Sequence, residues 1–134
     1  MAMYSGPVCT VGQEIYYSQT TGDDPGGKVD SSSLEAVSNM ARDYAGPHGF
    51  DPLPSLEAID IPGLWMFGGQ DRSIPVALSI ENLNTLVAQQ GKDFSYIIYP
   101  NANHRLRDTN TSQFFPAMSD AVDWIIEKSG EGGN

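Results

Sequence analysis

The chain has 134 residues and a formal net charge of −10, from 17 acidic against 7 basic side chains. Its cations, Lys28, Arg42, Arg72, Lys92, Arg105, Arg107 and Lys128, are scattered. They form no stripe along a phosphate backbone, and the overall field repels nucleic acid and anionic membranes. A hydrophobic content of 40% suits one folded domain with a real core, and the apolar runs are far too short to span a bilayer.

Met1 to Ser5 reads as the last residues of a strand, ended by Gly6-Pro7. Cys9 is the sole cysteine, so it has no partner for an internal disulfide or a thiolate zinc site. Gly12 to Thr21 is weakly patterned and fits either a short helix or an extended segment. Thr21-Gly-Asp-Asp-Pro-Gly-Gly-Lys28 is a turn cluster, expected as a surface loop.

Ser32-x-x-Glu35 has the form of a capping box, which satisfies two orphan N–H groups at a helix start. Leu34, Val37, Ala41 and Tyr44 then share one helical face, and Gly46-Pro47 is the expected stop. His48 follows, expected as a solvated loop histidine. Asp51-Pro-Leu-Pro54 opens a short helical turn, Ser55 to Ile59.

Leu64 to Phe67 is an unbroken apolar run between Pro62-Gly63 and Gly68-Gly69, the pattern of a strand buried on both faces. Trp65, Met66 and Phe67 are therefore expected as core. Pro75 suits a first helical turn, and Val76, Ile80, Leu83 and Val87 follow at helical spacing up to Gly91. Phe94-Ser-Tyr-Ile-Ile-Tyr99 is a second strand, stopped by Pro100. Pro116 starts a last helix with Met118, Ala121, Val122 and Ile125 on its expected packing face. Lys128 lies near its negative end, Ser129-Gly130 closes it, and Glu131 to Asn134 reads as a frayed tail.

The strand, helix and second strand from residue 64 to 99 make a βαβ unit, with a right-handed crossover expected. Asp71 follows the first strand and His104 the second, so both fall at the carboxyl edge of one sheet. Ligands and reacting groups gather at that edge in open α/β sheets. An acid followed by a histidine also matches the end of the order Ser…Asp…His.

With these residues in view, the chain resembles the C-terminal part of an α/β-hydrolase, in the serine-hydrolase branch of esterases, aminopeptidases and prolyl-oligopeptidase-like enzymes. The segments Tyr4-Ser-Gly-Pro-Val-Cys-Thr-Val-Gly-Gln-Glu14, Phe50 to Pro75, and Tyr99-Pro-Asn-Ala-Asn-His104 carry the resemblance. They look like the sixth strand and lid entry, the lid exit with the seventh strand and acid loop, and the eighth strand with the histidine loop. The resemblance implies a partial α/β-hydrolase fold: the last two or three parallel strands, flanking helices and a lid remnant. Residues 1–60 would hold a strand end and a lid-like helical segment, and residues 61–130 the βαβα unit.

The resemblance gives Asp71 the role of triad acid and His104 that of general base, and by placing Cys9 after the sixth strand, away from the nucleophile turn, it implies a part-buried, inert thiol there. The nucleophile motif Gly-x-Ser-x-Gly does not occur in the 134 residues. The expected function is thus the C-terminal part of a serine hydrolase, acting on ester or peptide bonds when complemented and inactive alone. A non-catalytic α/β association or binding module is the alternative. No cofactor and no metal are expected. A homo-oligomer built over the exposed sheet surface is expected, and the cytoplasm is the default compartment.

Overall fold

The computed structural model describes residues 1–22 and 31–131. Residues 23–28 of the turn cluster and 132–134 of the expected tail lie outside them. Three parallel strands, β1 (Ala2–Tyr4), β2 (Gly63–Gly68) and β3 (Phe94–Tyr99), pair in the order β1-β2-β3. The helices are α1 (Val11–Thr21), α2 (Ser31–Arg42), α3 (Leu53–Ala58), α4 (Val76–Gln90) and α5 (Ala117–Glu131). The chain is thus an α/β protein, a parallel sheet flanked by helices.

β2 is the middle strand and is buried throughout, which is why its sequence shows no polar alternation. Its side chains still alternate between faces, as the pleat requires. Trp65 and Phe67 join Val8, Leu83, Leu86 and Phe94 in one cluster, against which α3 and Ile80 of α4 pack. Leu64 and Met66 join Tyr99, Leu106, Ala117 and Ala121 on the opposite face, beneath α5. A third cluster of Cys9, Tyr17, Leu34, Ala41 and Leu78 joins α1, α2 and α4.

β1 is bonded along one side by β2, with Ala2 in register with Leu64 and Tyr4 with Met66. The chain leaving it is fastened to α4: Ser79 Oγ accepts from Val8 N at 3.0 Å and Asn82 Nδ2 donates to Val8 O at 2.7 Å. Gly91 takes φ 64° and ends α4, a left-handed position where glycine carries no Cβ penalty.

Of the two readings open for Gly12 to Thr21, the helix holds, capped by Thr10, whose Oγ1 accepts from Gln13 N while Gln13 Oε1 accepts from Thr10 N. Several other expectations are corrected. α2 opens at Ser31, placing Ser32 inside its first turn instead of before it, and ends at Arg42, ahead of Tyr44 and the Gly46-Pro47 stop. In α4, Leu78, Leu83 and Leu86 are buried while Val87 is exposed. α5 runs past Ser129-Gly130 to Glu131. Its packing face is Ala117, Ala121 and Trp124, whereas Met118, Val122 and Ile125 are exposed. Alanines let the helix approach the sheet closely, so the larger side chains of the neighbouring stripe turn outward.

Candidate active site

Because β2 and β3 are parallel and in register from Gly63↔Phe94 to Gly68↔Tyr99, their carboxyl ends lie side by side. The loops leaving them are joined through backbone: Gly69 N donates to Tyr99 O at 2.9 Å and Gln70 N to Ala102 O at 2.8 Å. Such proximity requires glycine at both positions. A Cβ on Gly68 would strike the carbonyl oxygens of Asn103 and Ala102, and one on Gly69 would strike Pro100. The Gly68-Gly69 pair therefore ends the strand and also lets the loop carrying Asp71 rest on the loop carrying His104.

The two side chains meet. Asp71 Oδ2 lies 2.8 Å from His104 Nδ1, with the Asp71 side chain fully buried and that of His104 44% exposed. The other carboxylate oxygen, Oδ1, accepts from Ser73 N at 2.7 Å and Ile74 N at 3.0 Å. A buried carboxylate needs such donors, and they also fix its rotation. A carboxylate only accepts, so His104 Nδ1 is the donor, and in the neutral ring Nε2 then carries the basic lone pair.

Each loop is braced independently of that contact. Asn103 Oδ1 accepts from Arg105 N at 2.9 Å and Arg107 N at 3.1 Å, a short polar side chain standing in for backbone in a turn. Ser5, at the end of β1, adopts φ 46° and donates its hydroxyl to His104 O at 2.6 Å. On the acid side, Tyr17 OH donates to Asp71 O at 2.7 Å and Thr21 Oγ1 to Arg72 O at 2.6 Å.

Tyr17 and Thr21 share a face of α1 with Glu14, three residues earlier. Burial raises the Glu14 carboxyl above its ordinary range; His104 pulls it back down and Asp71 pushes it up. Burial likewise raises the Tyr17 phenol, with Asp71 adding and Arg72 opposing. Ser5, Glu14 and Tyr17 were not singled out by sequence. The available signal was Thr10-x-x-Gln13, a capping pattern that would have set the phase of α1.

His104 forms part of the wall of a cavity of about 570 Å³, shared with Tyr4, Ser5, Leu106, Phe115 and Met118. Other residues considered from sequence lie apart from this chemistry. Cys9 is buried, and burial, followed by the charges of Glu14 and Asp51, pushes its thiol up to about 12, which disfavours the thiolate a nucleophile needs. His48 is exposed, but its Nδ1 lies 2.9 Å from Thr10 Oγ1, so it tethers a loop to the α1 cap. Trp65, Met66 and Phe67 are buried core.

Among the described residues, no group of three or more His, Cys, Asp or Glu side chains could hold a metal ion. No helix among them is long and apolar enough to cross a membrane.

Fold and site together define an α/β protein with a three-stranded parallel sheet, helices on its faces, and a buried aspartate orienting a half-exposed histidine at the carboxyl edge. Comparison with protein-family models, curated proteins and solved structures found no match.

Proposed function

We propose that this chain is the C-terminal part of a serine hydrolase of the α/β-hydrolase kind, supplying the triad acid and base for cleavage of ester or peptide bonds. The observation that carries the reading is the 2.8 Å contact between buried Asp71 and His104 at the carboxyl edge of adjacent parallel strands. In this reading His104 Nε2 takes a proton from a serine hydroxyl as it attacks the acyl carbon, then returns it to the leaving group. Asp71 holds the tautomer and stabilises the imidazolium. The serine and the oxyanion donors, each worth roughly 3–4 kcal/mol at the transition state, come from outside residues 1–134. The isolated chain is accordingly inactive.

A fluorophosphonate probe, which labels activated serines, tests this. The chain alone should remain unlabelled. Labelling should appear when a polypeptide bearing Gly-x-Ser-x-Gly, encoded in frame upstream of Met1, is joined to it, and should vanish in His104→Ala. An upstream reading frame without that motif defeats the proposal.

The exposed stripe Met118, Val122, Ile125 and Ile126 on α5 favours a second reading, an association module that forms a homo-oligomer through this apolar surface. Light scattering that finds a strict monomer at high concentration rules that reading out.

A further inference from the structure

The cavity beside His104 is chemically one-sided. Tyr4, Leu106, Phe114, Phe115 and Met118 give it apolar walls, and Ser5, His104 and Arg105 supply its polar side chains. Its volume of about 570 Å³ lies within the usual range for small-molecule sites, which combine apolar walls with a few convergent polar groups. The Ser5 hydroxyl is already committed to the His104 carbonyl. Arg105 has no such commitment among the described residues. Arg42, Lys92 and Lys128 are ion-paired with Glu81, Asp60 and Asp93, and Arg107 lies 4.2 Å over the Phe114 ring. The Arg105 side chain is exposed and makes neither kind of contact with the described residues, while its backbone N–H is held by Asn103 Oδ1. In a chain of net charge −10, a cation in the lining of an apolar cavity with no counter-ion among the described residues is a local reversal of the field. Of the nearby acids, Asp120 accepts from Tyr99 OH and Asp71 is buried against His104, while Glu14 on α1 acts on His104 without lining the cavity.

We propose that this cavity binds a monocarboxylate with an aryl or alkyl body, the body against Tyr4, Leu106, Phe115 and Met118 and the carboxylate against the Arg105 guanidinium. Such an acid is the product released when an ester or amide of an arylalkyl or alkyl acid is hydrolysed, so the site specifies the acyl side of the substrate. That link to a substrate rests on the hydrolase reading; the binding itself does not, because it needs no nucleophile.

The test titrates the 134-residue chain with 4-phenylbutyrate and, separately, with 4-phenylbutanol, following backbone amide resonances at low ionic strength. The acid should shift the signals of residues 104–106, 115 and 118 and bind at least about five-fold tighter than the alcohol, the margin of one partly exposed charge pair. Arg105→Gln should abolish that preference while leaving alcohol binding intact. Met118→Asp, at a site 70% exposed and so safe for folding, should weaken the acid about ten-fold by placing an anion in the wall. Equal affinity for acid and alcohol, shifts confined to other surfaces, or an unchanged preference in Arg105→Gln each overturn the proposal. Binding as expected with no fluorophosphonate labelling of the completed enzyme removes the hydrolase reading and leaves the site. The opposite pair of results removes the site and leaves the hydrolase.

Discussion

Gly68→Ala is the substitution on which the architecture of the site depends most directly. The new methyl group would press against the carbonyl carbon and oxygen of Ala102 and the carbonyl oxygen of Asn103. These are backbone atoms, so no side chain can swing clear. Restoring a carbon–carbon separation of about 3.5–4 Å requires the two loops to part by roughly 1 Å. Overpacking of this kind costs about 1–3 kcal/mol. Parting also stretches the bonds from Gly69 N to Tyr99 O and from Gln70 N to Ala102 O, each worth about 1 kcal/mol net. A total of about 2–4 kcal/mol corresponds, at about 3–5 °C per kcal/mol for a chain of this length, to a fall in Tm of roughly 10 °C. The same displacement takes the Asp71–His104 contact from 2.8 Å to nearly 4 Å, beyond hydrogen-bond range. The low-field proton signal of a histidine Nδ1–H held by a carboxylate should therefore disappear along with the stability. Gly130→Ala is the control: a Cβ there meets nothing within 4 Å, and alanine in a helix should add about 0.5–1 kcal/mol. A Gly68→Ala protein that melts within two or three degrees of the parent and keeps the low-field signal would refute the claim that glycine is needed for the loops to meet.

Tyr17→Phe removes the donor to Asp71 O and leaves a buried carbonyl unsatisfied, so denaturant titration should show a loss of about 1–3 kcal/mol with an unchanged m-value. Glu14→Gln tests the raised carboxyl. A carboxyl whose folded-state pKa is raised above its ordinary value of 4.5 contributes stability that is complete below that value and is lost as pH rises through the folded pKa. The Tm of Glu14→Gln relative to the parent should therefore rise between pH 4 and pH 7, and a flat difference contradicts the assigned burial. Cys9 should resist thiol reagents at pH 8 until the protein unfolds. Its folded thiol is raised from 9.0 to about 12, so its contribution is full below pH 9 and is lost between there and pH 12. Cys9→Ala should remove that share of the alkaline decline in chemical denaturation.

What could be read from the sequence follows from where single signals suffice. β2 was legible because a strand covered on both faces needs only an apolar run, and Gly68-Gly69 and Pro100 marked where β2 and β3 end. The acid and histidine were legible as a pair because each is the polar group that follows a strand end, and parallel strands bring such ends together. The face of α5 was misread for a physical reason. It carries two apolar stripes, Ala117, Ala121 and Trp124 against the sheet and Met118, Val122 and Ile125 outside it. Periodicity registers both but not which stripe lets the backbones come close. Ser5, Glu14 and Tyr17 escaped notice because their partners are loop groups distant in sequence, 99 residues away for Ser5 and 54 for Tyr17. No local pattern encodes a hydroxyl aimed at a remote carbonyl. The outward stripe on α5 shares Met118 with the cavity beside His104. An occupant of that cavity and a partner covering α5 would therefore compete for this side chain, so oligomer formation should weaken carboxylate binding and, by linkage, carboxylate should disperse the oligomer.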